Sequence, residues 1–245
     1  MSWTHERKVR AVIDAPCGLV TGPPDMREIA RDGWFQRIAP SAPGTWLNEV
    51  ILSRVSEEDA EAVIDEVIAM YRAIGKPTKW CTGPWTVPSD FDERLARRGS
   101  QSWQTLGMGI ATDVAISSPI AVRRTQDADE YAKTSAAAWD VPIDDVQRDA
   151  FRRGLDRELV LFVADDLGAG AILLREDYGY LVGTAVREEA RGRGIYRALV
   201  AARLAFLRDR GIEYAVTQAR ESTSAPILEH LGFETLFRGR CHVID

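Results

Sequence analysis

The junction between the strand-like run YGYLVGTAV (178–186) and the helix-like run that opens RGRGIYRALV (191–200) constrains this chain more than any other feature. Gly192 and Gly194 interrupt it, and Arg191, Arg193 and Arg197 load it with positive charge. The first turn of a helix carries N–H groups without intrahelical acceptors, and the aligned peptide dipoles add partial positive charge there. Such a turn is suited to an anion, most simply a phosphate. Glycine keeps side chains out of the anion's way, while Arg191 and Arg193 add charge-assisted hydrogen bonds.

Counting glycines narrows the choice of phosphate. A dinucleotide-binding turn needs GxGxxG, but Gly194 is followed by Ile195, Tyr196 and Arg197, so the third glycine is missing. A Walker loop needs GxxxxGK followed by Ser or Thr, and no stretch supplies it. The net charge of −6 disfavours broad binding to nucleic acid or anionic membranes, which makes the arginine-rich junction a local exception. No run approaches the roughly 18 apolar residues of a membrane helix, and MSWTHERKVRAVIDAP lacks the apolar stretch of a secretory signal. A cytoplasmic location is expected. Three cysteines and three histidines, with no CxxC or HxxxH spacing, argue against a metal site and a disulfide framework.

Around the junction the C-terminal part reads as an alternation. A strand is expected at IAVRRT, helices at 126–138 and 142–153, and a hairpin in ELVLFVADDLGAGAILLRE turning at DDLG. After the junction, Ile195, Leu199, Ala202 and Phe206 form an apolar stripe closed by Gly211. IEYAVTQ then reads as a buried strand, SAPILEHLGF as a short helix ending at Gly232, and the tail as one or two strands.

The N-terminal part repeats this order in shorter form. TWLNEVILSRV (45–55) reads as a strand, and 57–74 as a helix with Val63, Val67 and Met70 on one face. KPTKWCTG reads as a strand, 88–99 as a helix capped by Ser89, and 101–114 as a strand or hairpin. The turn matching the arginine junction is SEEDAEA, where Glu57, Glu58 and Asp59 repel phosphate and Ser56 with Asp59 forms a capping box. One anion site per chain is therefore expected. DVAISSPI marks the boundary between units 1–116 and 117–245.

With RGRGI following a strand and LEHLGF about 40 residues later, the sequence resembles the GNAT superfamily of N-acyltransferases. The family's Arg/Gln-x-x-Gly-x-Gly/Ala motif falls on Arg191, Gly194 and Tyr196, the last a departure. KWCTGPWTVPSDFDERLARRG (79–99) resembles the first part of two-lobed members, so the resemblance implies a tandem GNAT with a degenerate N-terminal lobe. It implies an α/β (α+β) fold, with a mixed central sheet flanked by helices.

The implied activity is transfer of an acetyl or other acyl group from acetyl-CoA, or another acyl-CoA, to a primary amine of a small molecule or peptide. The implied coenzyme contacts are Ala185, Val186, Arg191, Gly192, Arg193, Gly194, Ile195, Tyr196, Ser222 and Ser224, with the Val186 N–H stabilising the oxyanion. The family's proton-donating tyrosine falls on Leu228, so Tyr180 and Glu221 remain as catalytic candidates. Trp80, Trp85, Trp103 and Trp139 are candidates for the acceptor pocket, while His230 is expected to be a surface or capping residue. The missing tyrosine also allows an acyl-CoA-binding protein with little or no transfer. A transferase using a carrier-protein or aminoacyl-tRNA donor is a third reading. A monomer or homodimer is expected.

Overall fold

The computed structural model describes residues 2–19, 21–155 and 157–245. The first part comprises α1 (His5–Asp14), β1 (Arg27–Arg31), β2 (Trp34–Ile38), β3 (Glu49–Ser53), α2 (Ala60–Ala73), β4 (Thr78–Thr82), α3 (Phe91–Arg97) and β5 (Gln101–Ala111). It is followed by β6 (Arg123–Thr125), α4 (Ala128–Trp139), α5 (Asp145–Leu155), β7 (Leu159–Ala164), β8 (Gly168–Leu174) and β9 (Gly179–Val186). The remainder is α6 (Ile195–Asp209), β10 (Tyr214–Arg220), α7 (Ser224–His230) and β11 (Glu234–Ile244).

These strands form one sheet in the order β1-β2-β3-β4-β11-β5-β10-β9-β8-β7-β6. Only β3–β4 and β9–β10 are parallel, and each of these pairs is joined by a helical crossover, α2 or α6, as parallel neighbours require. The repeated order is therefore real: β3-α2-β4-α3-β5 is matched by β9-α6-β10-α7-β11. The last strand of each series lies beside the other series. β5 pairs with β10 and β11 pairs with β4, and the two meet each other antiparallel at the centre of the sheet.

Helices cover both faces. Ile195, Leu199 and Leu204 of α6 pack with Leu228 of α7 over Phe162, Ile172 and Leu181. On the opposite face, α1 and α4 bring Val12 and Tyr131 against Leu161, Val163 and Val216. Ile64, Val67 and Tyr71 of α2 form a separate core with Trp80, Phe91 and Leu95. Gly211 and Gly232 take positive φ (74° and 95°) just past α6 and α7, the left-handed exit that glycine permits.

Several boundaries differ from the sequence reading. Residues 45–48 form an irregular turn, and β3 begins only at Glu49, where pairing with β2 starts. Ser89 does not cap α3; the helix starts after Asp90 without a side-chain cap. Ser56 and Asp59 do bond, Ser56 Oγ accepting the Asp59 N–H at 3.1 Å and donating to Asp59 Oδ2 at 2.6 Å, but they form a turn ahead of α2, which starts at Ala60 rather than 57 and has no side-chain cap. Within 101–114 the chain forms one long strand, β5, that ends at Ala111 in a turn rather than returning as a hairpin, and the tail is likewise one strand. Cys17, Cys81 and Cys241 are free thiols, the last two facing each other across β4–β11 with sulfurs 3.5 Å apart. Among the described residues no helix is long and apolar enough to cross a membrane.

Candidate active site

The parallel pair β9–β10 is joined only at its start, by Gly179 opposite Ala215 and Tyr180 opposite Val216. Beyond these positions the strands separate. The cause lies in β9, whose register with β8 slips between Ala169 and Ala171, beside Gly183 at φ +64°. An extra residue of this kind bends a strand away from its neighbour. The Arg187 N–H donates to Leu167 O at 2.9 Å, so strand alternation turns the Val186 N–H the other way, into the gap.

At the mouth of the gap stands the arginine junction. Residues 188–190 make a single 3₁₀ turn, and Gly192 and Gly194 follow at φ +74° and +84°. The N–H groups of Gly194, Ile195, Tyr196 and Arg197 have no acceptor among the described residues. Arg191 and Arg193 are exposed beside them, with Glu188 4.0 Å from Arg191. Arg197 serves a different purpose, its Nε donating to Ser117 O at 3.0 Å. Four free donors, two arginines and an opened strand pair suit a pyrophosphate with an extended arm behind it.

Tyr196 does not block this mouth. Its side chain packs against the core beneath α6, and its hydroxyl lies beside Ser224 at the start of α7. Burial raises its pKa, which the Arg203 charge and Ser224 partly offset. Ile195 is buried below the turn, and Ala185 is buried opposite Ala169. Ser224 Oγ accepts the Arg220 N–H at 3.1 Å, while Ser222 is exposed.

The counterpart gap in the first part of the chain is filled. β3 and β4 also share only two pairs, Glu49 with Lys79 and Val50 with Trp80. There Val87 adds itself to the β3 edge: its N–H donates to Ser53 O and its carbonyl accepts the Val55 N–H, both at 3.0 Å. Trp80 donates from Nε1 to Ser53 Oγ at 3.1 Å, and Glu57 in the acidic turn pairs with Arg94.

Next to the open gap, a cavity of about 600 Å³ lies between the sheet and helices α1, α4 and α5. Gly183 and Gln218 border it where β9 and β10 part, and Tyr180 faces into it from β9. Trp85 and Trp139 line it, together with Trp46, which sequence reasoning did not single out. Trp80 is instead core, and Trp103 stacks under Arg220, 4.7 Å from the guanidinium to the ring centre.

The far wall carries a charged cluster that sequence reasoning missed. Glu49 accepts from Arg37 Nη1 at 2.9 Å and from Lys79 Nζ at 2.7 Å, and Arg37 also pairs with Glu28 at 3.0 Å. Burial pushes the Glu49 pKa up, but Lys79 and Arg37 outweigh it and hold the carboxyl below its ordinary value. For Lys79, burial pulls down and Glu49 more than restores the charge. Burial dominates at Tyr180 and raises its pKa; Lys79 and Glu49 act on it too, although β10, β5 and β11 lie between β9 and β4. Tyr180 on β9 and Lys79 on β4 line the same cavity across three intervening strands, so the sheet curls around it. A lone Glu in the run WLNEVILS and a lone Lys before Trp80 were the available signals.

The catalytic candidates separate. Leu228 is buried in the α6–α7 core, so its position offers no proton. Glu221 is ion-paired with Arg238 and is not part of the cavity lining. His230 contacts Pro226 O with its Nδ1 at 2.6 Å on the exposed end of α7. Among the described residues no group of His, Cys, Asp or Glu is placed to hold a metal ion.

A mixed sheet opened at one parallel pair, with unpartnered helix amides and two arginines at the opening, is the fold of the GNAT N-acetyltransferases. Residues 126–233 match the family described as "Acetyltransferase (GNAT) family", so this segment is a GNAT acetyltransferase domain. A GCN5-related N-acetyltransferase from Kribbella flavida superposes with a TM-score of 0.67 at 13% identity, over 97% of this chain and 95% of that one. A conserved protein of unknown function from Staphylococcus epidermidis gives 0.66 at 13% identity, over 90% and 94%. A tandem GNAT protein from the clavulanic acid biosynthesis pathway gives 0.59 at 15% identity, over 94% and 86%. No curated protein matches the sequence significantly.

Proposed function

We propose that this protein is an acyl-CoA-dependent N-acyltransferase that acylates a primary amine of a small molecule or peptide. One observation carries the proposal: the unfilled β9–β10 gap, with unpartnered amides at its mouth, opens beside a closed-sided cavity at Gly183 and Gln218. Coenzyme A, when bound, supplies the acyl group as a thioester. Gly192, the N–H groups from Gly194 through Tyr196, and the side chains of Arg191 and Arg193 hold the pyrophosphate. Ala185, Val186, Ser222 and Ser224 flank the arm, and the Val186 N–H meets the carbonyl oxygen.

The attacking amine must be neutral, whereas a lysine-like amine has a pKa of about 10.4 in water. Apolar walls disfavour its charged form and lower that value. Tyr180, whose burial keeps its hydroxyl protonated, is the proton donor closest to this role; Glu221 is engaged with Arg238. In this reading residues 1–116 and 117–245 are two GNAT-like units of a cytoplasmic monomer or homodimer, and only the second binds the coenzyme.

A thiol-release assay with acetyl-CoA and a panel of amines tests the proposal. Release that depends on the amine supports it. Tight coenzyme binding without release from any amine supports instead a binding protein, the reading that buried Leu228 favours.

A further inference from the structure

We infer that the acceptor is a largely apolar amine, with an aromatic or branched body and, at the end away from its amine, an uncharged oxygen that accepts a hydrogen bond from Lys79. The inference rests on the transfer reading above and adds the acceptor's chemistry. Trp46, Trp85, Trp139, Phe151, Leu173 and Val182 make most of the cavity wall aromatic or aliphatic. Its charged lining residues are Arg37, Lys79, Glu49 and Asp144, which sum to zero. A polycation or polyanion would lose its hydration there without gaining a counter-charge.

Donor bookkeeping identifies the polar contact. Every nitrogen of Arg37 has a partner, Nε with Glu28, Nη1 with Glu49 and Nη2 with Pro16 O, and the side chain is buried at 1% exposure. Both Glu49 oxygens are taken, one by Arg37 and one by Lys79. An ammonium has three N–H donors, and Lys79 gives one to Glu49 while lining the cavity. Arg37, Lys79, Glu28 and Glu49 already balance in charge, so a carbonyl, ether or hydroxyl oxygen suits the spare donors better than a second carboxylate.

The rim points the same way. Trp139 and Val141 line the cavity yet are 57% and 50% exposed, and Ile143 beside them is 51% exposed. No core claims these side chains, and an apolar body entering the cavity would cover the first two. With the oxygen at Lys79, the amine end lies toward Gly183 and Gln218, at the opened strands.

The test uses the full chain with acetyl-CoA and five primary amines: 4-methoxyphenethylamine, phenethylamine, spermidine, glucosamine and a lysine-containing peptide. The methoxy compound is expected to have the highest kcat/KM, about tenfold above the three polar amines. Lys79→Met is expected to lower kcat/KM about tenfold for the methoxy compound and less than about threefold for phenethylamine. Because Lys79→Met leaves Glu49 half-paired, the double variant Glu49→Gln with Lys79→Met is measured alongside and should show the same selectivity change. Preference for a polar amine, or equal losses for both aromatic amines, overturns the inference while leaving the transfer reading intact. If no amine releases thiol, the transfer reading fails. Tryptophan fluorescence titration with the two aromatic amines then decides: saturable binding that favours the methoxy compound and loses that preference in Lys79→Met supports the cavity assignment, and anything else overturns it.

Discussion

Arg203 on α6 donates from Nη1 to the carbonyl of Ala171 on β8 at 3.2 Å, directly under the slipped register of β9. Its Nε donates to Leu199 O at 2.9 Å, and its charge is buried without a carboxylate partner among the described residues. Burial pulls its pKa down to about 10, partly offset by Tyr196 and Tyr131. A base whose pKa is lowered by folding destabilises the folded state wherever both states are charged, and the penalty fades as pH rises through the folded value. Arg203→Met is therefore expected to raise stability by about 1–2 kcal/mol at pH 7. The gain should shrink above about pH 10. Urea unfolding at pH 7 and pH 10.5 measures both, and a variant less stable at pH 7 would show that the two hydrogen bonds outweigh the buried charge.

Arg191 and Arg193 stand at the mouth of the gap as exposed cations, so each should contribute modestly and in a salt-dependent way. Arg191→Ala and Arg193→Ala are each expected to weaken coenzyme A binding by about 1 kcal/mol, roughly fivefold in Kd. Calorimetric titration at low and high salt checks this; unchanged affinity in the double variant would remove the junction from the binding site.

Val87 occupies the β3 edge that the corresponding strand, β9, leaves open. The stoichiometry of coenzyme binding should accordingly be one per chain. A second equivalent in the same titration would mean that Val87 yields its place to the ligand.

Glu49 joins Lys79, for which it is the carboxylate partner, to the buried Arg37, which also holds Glu28. Glu49→Gln is expected to destabilise by about 3 kcal/mol at pH 7, because it leaves buried charge unpaired. Since folding lowers the Glu49 pKa, its contribution is present above its unfolded value of about 4.3 and is lost as pH falls below it. The difference between wild type and variant should thus narrow between about pH 5 and pH 3. Thermal melts across that range would show a constant difference if Glu49 were protonated in the fold.

What the sequence disclosed follows from how local each signal is. The α6 stripe, its Gly211 exit and the glycine–arginine turn lie within some 20 residues, so pattern and chemistry were readable together. The acidic N-terminal turn was legible for the same reason. By contrast β1 lies on the sheet edge almost wholly exposed and shows no core periodicity, and α1 offers only Val9, Val12 and Ile13 at helical spacing within ten mostly polar residues. The cavity draws its wall from residues between Ile13 and Gln218, and no spacing in the chain brings Arg37, Glu49 and Lys79 together. Arg37 meets Glu49 through the antiparallel β2–β3 register and Lys79 meets it through the parallel β3–β4 register, and those registers are set only by the folded sheet.

The crossing of β5 and β11 has a consequence for how this protein can be cut, and for how its two parts change over generations. A break near residue 116 would leave β10 facing a strand on a separate polypeptide, and β4 likewise, so two exposed sheet edges would invite pairing with strangers. Neither part can drift alone: a substitution in Gly107, packed against the Phe237 ring, is felt by the other part at once. β5 is thus the strand from which both β10 and β11 take a neighbour.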